Sequence, residues 1–168
     1  MSVVINRDVP IGSFPFKDVF GGFEKVAAVK SIFGSNTDRV LSALRVDIED
    51  TRGYMRINDK NGSVIVSAKY LKEGEETHLY LDVVHELVHI RQHMEGKELW
   101  DRRYAYVDRP TELEAYRVAL DEARRLGLRE RDIIDYLKVN WVTDEEFGQL
   151  LRTLGVKGWR GPRPNSKR

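Results

Sequence analysis

Apolar positions divide the chain into a first part with strand-like runs and a second part with helical spacing. Two β-prone runs, residues 54–57 and 63–68, are joined by a polar connector that ends in Asn61-Gly62. Such a pair favours a tight turn, so the two runs predict a β-hairpin. Residues 39–50 predict the end of a helix followed by a strand.

The pattern before residue 39 is weaker. Residues 1–20 include Pro10 and Pro15 among short apolar runs, and they predict irregular structure. Residues 22–33 are a helix candidate, although their apolar spacing is mixed.

Four helices are predicted after the hairpin. The first starts near residues 75–77, where acidic and capping side chains occur, and ends near residues 94–96 at a glycine. Between these limits, Leu81, Val84 and Val88 give the helix a face for burial.

The second helix, residues 111–125, follows Pro110 and ends before Gly127, which are a typical helix start and stop. Residues 129–137 and 143–154 predict two more helices. Small residues recur every four positions along one face of the second helix, at Ala115, Ala119 and Ala123. This alanine stripe lets another helix approach closely.

The first of these helices carries the most informative motif, the HExxH sequence His85-Glu86-Leu87-Val88-His89. Residues four apart lie about one turn from each other on the same helix face, so the two imidazoles can bind one metal ion. Glu86 then sits where its carboxylate can reach a metal-bound water and act as a general base. A structural pair of buried histidines is the plainer alternative, but it leaves the glutamate between them unexplained.

Catalytic zinc sites usually have three protein ligands, so the two histidines require another. His93 lies eight residues after His85, a rise of about 12 Å along a helix, which is too far for a shared ion. His78 is excluded for a similar reason. The third ligand is therefore expected on a different element.

Glu112 and Glu114, in the first turn of the second helix, are the candidates for this third ligand. Glu112 shares a face with the alanine stripe, whereas Glu114 lies about 200° round the helix. If the stripe packs on the motif helix, Glu112 faces the metal. Both glutamates could instead simply favour the positive N-terminus of their own helix.

The HExxH motif followed by Glu112-Leu113-Glu114-Ala115 resembles the gluzincin branch of the zincin metallopeptidases, including small bacterial members of the ImmA/IrrE type. The resemblance implies a minimal zincin-like α+β fold. In that fold a small twisted sheet packs on the HExxH helix and on a second, ligand-bearing helix, and further helices follow at the C-terminus. The resemblance also implies Zn²⁺ as the cofactor, with His85, His89 and Glu112 as its ligands and Glu86 as the catalytic base.

This resemblance covers residues 63–125 and is incomplete. Many relatives have an Asp or Asn that supports a metal-binding histidine at the position where this chain has Tyr116. Many small relatives have Gly where this chain has Val88. The residues that support the ligands are therefore not carried over from the family.

A zinc-dependent peptidase acting on a peptide or protein substrate is the function that the resemblance implies. The run 63–68 is then expected to be the sheet edge that pairs with the substrate backbone. Candidates to stabilise an oxyanion are Tyr104, Tyr106, Arg109 and Tyr116. The alternative is a non-proteolytic regulatory or protein-binding module that keeps the zincin scaffold and docks a partner on residues 129–154.

The length of 168 residues favours one domain, residues 1–156, followed by a basic tail, residues 157–168. The tail carries five positive side chains and no negative one, and its glycines and prolines favour disorder. A nucleic-acid partner is not expected, since this tail is the only feature that favours one.

Cysteine is absent, which excludes disulfides and thiolate ligands for zinc. No run approaches the roughly 20 apolar residues of a membrane span, so no membrane association is predicted. The N-terminus lacks the pattern of a secretory signal, which predicts a cytoplasmic protein.

Overall fold

A computed structural model describes residues 3–162 of the chain. The protein consists of two compact units, with the boundary between Trp100 and Asp101. The first unit combines strands and helices, and the described part of the second is helical. The protein is therefore α+β, as predicted. The single domain expected over residues 1–156 stays a prediction.

The strands of the first unit form two small sheets. They are β1 (Val4–Ile5), β2 (Gly12–Pro15), β3 (Phe20–Gly21), β4 (Arg45–Glu49), β5 (Met55–Ile57) and β6 (Val64–Ser67). Strands β1 and β3 pair with each other, and the other four form a sheet in the order β2-β4-β6-β5. β4 and β6 are parallel, while β2 and β5 are antiparallel to their neighbours. The pairing of β5 with β6 confirms the predicted hairpin.

Strand β6 is not the sheet edge that was expected for residues 63–68. It lies between β4 and β5, and all four of its residues are buried. The reason is its continuous apolar run, which is typical of an interior strand covered on both faces. Among the described residues, the edge on this side of the sheet is β5.

The prediction of irregular structure for residues 1–20 is also wrong. This segment contains β1, β2, helix α1 (Phe16–Val19) and the start of β3. The prolines mislead because Pro15 ends an edge strand, where a missing backbone N–H is tolerated. The predicted helix at residues 22–33 is divided into a 3₁₀ turn, Phe23–Lys25, and helix α2, Ala27–Phe33.

Of the remaining helices, the last four agree with the sequence to within about a residue, the first is the helix whose end was predicted in residues 39–50, and the second, α4, is additional. They are α3 (Thr37–Ala43), α4 (Ala68–Glu73), α5 (Glu76–Met94), α6 (Pro110–Arg125), α7 (Glu130–Leu137) and α8 (Asp144–Leu154). No helix in the described range, 3–162, combines the length and the apolar character needed to cross a membrane.

Helix α5 contains the HExxH motif and is fixed at both ends by local hydrogen bonds. At its start, the Glu75 carboxylate accepts the backbone N–H groups of Thr77 and His78, at 3.1 and 2.9 Å. At its end, Gly96 adopts a φ of +77°, and the Lys97 N–H donates to the Gln92 carbonyl at 3.0 Å. These bonds satisfy backbone groups that a helix cannot pair internally.

Aromatic packing joins α5 to the N-terminal segment of the first unit. Phe16, Phe20 and Phe23 are fully buried against one another. The Phe23 ring also lies on Tyr80 of α5, with ring centroids 5.4 Å apart. Phe23 therefore links this N-terminal aromatic cluster to the motif helix.

The predicted tail begins with residues that have defined contacts in the second unit. The Lys157 N–H donates to Glu130 Oε2 at 3.0 Å, and the Trp159 ring packs edge-on against Phe147. A Cβ on Gly148 of α8 would lie 2.8 Å from the Trp159 ring, so glycine makes room for the indole. The rest of the predicted tail, residues 163–168, lies outside the described residues.

A tyrosine–aspartate hydrogen bond links α4 to α5, and removing it is expected to lower the stability of the protein. The Tyr70 hydroxyl donates to Asp82 Oδ2 at 2.5 Å. Tyr70→Phe should reduce the free energy of unfolding at neutral pH by about 2 kcal/mol, a typical value for a hydrogen bond to a charged group. Burial, and then the neighbouring Asp82 charge, raise the pKa of the Tyr70 phenol.

The same pKa shift predicts how this loss depends on pH. Above pH of about 10 the unfolded tyrosine ionises while the folded one keeps its proton, so the contribution of Tyr70 falls as pH rises. Urea unfolding at pH 7 and pH 11 should show a smaller difference between parent and Tyr70→Phe at the higher pH. Tyr104→Phe, at an exposed tyrosine, is the control. If the difference in unfolding free energy between parent and Tyr70→Phe is the same at both pH values, the raised pKa of Tyr70 is contradicted.

Candidate metal centre

The two histidines of the HExxH motif meet on one face of α5. His85 and His89 are 6% and 4% exposed, and their Nε2 atoms lie 3.1 Å apart. The rings are nearly perpendicular, with centroids separated by 4.8 Å. Both imidazoles therefore present the same ring nitrogen to one buried point.

The position of the hydrogen on the His89 ring depends on the contact of this ring with Gln92. His89 Nδ1 lies 2.7 Å from the side-chain oxygen Oε1 of Gln92. An amide oxygen only accepts hydrogen bonds, so this contact is a hydrogen bond when Nδ1 of His89 carries the hydrogen.

The spacing of the two nitrogens fits a shared cation. Two ligands of a tetrahedral zinc ion, each bound at about 2.0–2.1 Å, would lie about 3.3 Å apart. The observed Nε2–Nε2 separation is 3.1 Å. The donor chemistry and the spacing are therefore compatible with a shared metal ion.

Glu112 and the alanine stripe share a buried face of α6. Glu112 lies in the first turn of α6 and is 4% exposed, and Ala115, Ala119 and Ala123 on the same face are fully buried. Glu114 is only half-buried. His85, His89 and Glu112 are a group of buried side chains that could hold a metal ion.

Glu86, the predicted general base, is 7% exposed and lies beside the first histidine on α5. Its neighbours on the helix, Leu87 and Val88, are fully buried. A carboxylate is costly in such apolar surroundings unless other groups compensate its charge. Its burial with the histidines therefore favours a role in their chemistry over a role on the surface.

The other two histidines lie apart from this group. The His93 ring packs on Gly62 of the hairpin connector, where an added Cβ would lie 3.2 Å from the ring. His78 Nε2 lies 3.8 Å from Glu75 Oε2 at the start of α5. Neither histidine belongs to the buried group that could hold a metal.

Gln92 is the residue of this centre that the sequence analysis missed. It is completely buried near the end of α5, three residues after His89. An amide three residues after a histidine of the motif, and so on the same helix face, is the signal that could have identified it.

The residues proposed to stabilise an oxyanion have varied surroundings in the second unit. The hydroxyls of Tyr106 and Tyr116 are hydrogen-bonded at 2.5 Å. Arg109 Nε donates to the Asp101 carbonyl at 3.3 Å, whereas Tyr104 is exposed. Their part in a reaction stays a prediction.

Comparison of the chain with family models, with curated proteins and with solved structures found no match.

Glu112 is expected to contribute more to metal binding than its neighbour Glu114. Glu112→Ala should weaken zinc binding by at least tenfold, since it removes the only negative ligand of the set. Glu114→Ala and His93→Ala should bind zinc within about twofold of the parent. Chelator competition on the metal-free proteins measures all three affinities. An equal or larger loss of zinc affinity for Glu114→Ala would show that the face of α6 carrying Glu112 is not the metal-binding face.

Proposed function

We propose that this protein is a zinc-dependent peptidase, in which His85, His89 and Glu112 bind the metal and Glu86 is the general base. The observation that carries the proposal is the 3.1 Å approach of the two Nε2 atoms on a buried helix face. When bound there, zinc would polarise a substrate carbonyl and lower the pKa of a coordinated water.

The ligand set supports hydrolytic chemistry through its charge. Two neutral imidazoles and one carboxylate leave a divalent cation with a net positive charge, which is the condition for activating water near neutral pH. The three residues that would set this charge, His85, His89 and Glu112, are all buried. Their burial also limits competition from bulk water.

Glu86 supplies the proton transfer in this proposal. Its carboxylate would accept a proton from the attacking water and then deliver it to the leaving amine. Its position next to the first ligand, on the same buried helix, supports that role. A glutamine in its place would keep the shape of the side chain and lose the basic oxygen.

Strand β5 is the element that best fits a substrate peptide within the first unit. It is the sheet edge nearest in the chain to the motif, and it packs against α5. An extended peptide could add to this edge through backbone hydrogen bonds. The interior position of β6 excludes that strand from the role.

Purified protein is expected to contain about one equivalent of zinc. The binding group has one set of three ligands, so a single ion satisfies it. Elemental analysis after purification, and again after adding zinc at neutral pH and removing the excess, measures the content. Protein that remains free of transition metal after zinc has been added would contradict the proposal.

Glu86→Gln should keep the zinc and the fold while reducing peptide hydrolysis by at least a hundredfold, as expected for loss of a general base. Cleavage of a diverse peptide library, followed by mass spectrometry, measures the activity, and elemental analysis confirms the metal. Glu114→Gln is the matched control and should retain activity. Equal cleavage by parent and Glu86→Gln would exclude Glu86 as the base. If the zinc-loaded parent cleaves nothing, the non-proteolytic binding module becomes the better function.

A further inference from the structure

Gln92 lies where it can control the chemical state of a proposed metal ligand. It is completely buried, and its side-chain oxygen Oε1 lies 2.7 Å from His89 Nδ1. Both residues belong to α5, three positions apart, so the contact depends only on the geometry of one helix.

We propose that Gln92 is a positioning residue that fixes His89 in the tautomer with hydrogen on Nδ1, and so presents Nε2 as a metal ligand. This inference rests on the proposed metal site for its function, but the tautomer itself can be observed without metal.

The direction of the hydrogen bond supports the assignment. The amide oxygen can only accept, so the bond forms when Nδ1 carries the hydrogen. The opposite tautomer would place the lone pair of Nδ1 against that of Oε1 at 2.7 Å. Gln92 therefore favours the state in which the Nε2 lone pair of His89 faces His85.

A neutral amide also suits the charge of the centre. A carboxylate at this position would add a negative charge to a helix that already buries Glu86. Glutamine gives the same acceptor oxygen without that charge. It also fixes the imidazole ring, which reduces the reorganisation needed when a metal binds.

The helix ending strengthens this positioning. The backbone carbonyl of Gln92 accepts the Lys97 N–H at 3.0 Å, within the turn that ends α5 at Gly96. The backbone of Gln92 is therefore fixed at the same point where its side chain is completely buried. Both restraints limit the rotamers from which Oε1 can reach His89.

Gln92→Met is the principal test, because methionine keeps the approximate volume and removes the acceptor oxygen. Zinc affinity of the full-length variant is expected to fall by about 10- to 100-fold, as for other residues that hold a ligand imidazole. Gln92→Glu, which restores an acceptor, should recover most of the affinity. Gln149→Met is the matched control, since Gln149 donates to Asp108 in the second unit and should keep the parental affinity.

Nitrogen NMR of the His89 imidazole in metal-free protein provides the second readout. The parent should show hydrogen on Nδ1, and Gln92→Met should show a mixture or the opposite tautomer. Hydrogen on Nε2 in the parent, or zinc binding by folded Gln92→Met as tight as the parent's, would overturn the inference. If Gln92→Met does not fold, the parent spectrum and the affinity of Gln92→Glu decide.

These readouts separate the inference from the proposed function. A parent that shows the expected tautomer but binds no zinc would refute the metal site and leave the effect of Gln92 on His89 standing. A parent that binds zinc, with no loss in Gln92→Met, would refute the role of Gln92 and leave the metal site standing.

Discussion

The proposed metal centre depends on the burial of several polar side chains along one helix, α5. His85, Glu86, His89 and Gln92 all lie within two and a half turns of α5, and each is at most 7% exposed. Buried polar groups destabilise a fold unless other groups satisfy them. The hydrogen bond from His89 to Gln92 satisfies part of this requirement, and a cation between the two Nε2 atoms would satisfy more of it. The buried polar groups and the proposed metal site therefore depend on the same helix.

The first unit holds that helix from several directions. The Glu75 cap fixes its start, the Tyr70–Asp82 bond joins it to α4, and Phe23 packs on Tyr80. Strand β5 packs along it as well. These contacts are spread over more than one turn, so the direction of the histidine-bearing face does not depend on any one of them. A rigid helix is a better support for precise ligand geometry than a loop.

Sequence reasoning succeeded where structure is determined by neighbours in the chain. The ends of α5, the hairpin at Asn61-Gly62 and the bounds of α8 all depend on residues a few positions apart. The meeting of His85 with His89 also follows from helix geometry alone. The failures involve distant partners. Pairing of Gly12 with Ile48, and of β4 with β6, cannot be derived from local spacing, so β2 was missed and β6 was placed at an edge. The contact between Gln92 and His89 depends on the conformation of the Gln92 side chain, which residue spacing does not determine.

The contact between Trp159 and α8 changes where the globular part of the second unit ends. Charge alone marks residue 157 as the start of a separate basic segment. However, Val156 is buried, Lys157 is tied to Glu130, and the indole of Trp159 covers Phe147 above the space left by Gly148. A truncation at residue 156 would therefore uncover an aromatic side chain of the core. A chain shortened after Arg160 would lose three basic side chains and keep this packing.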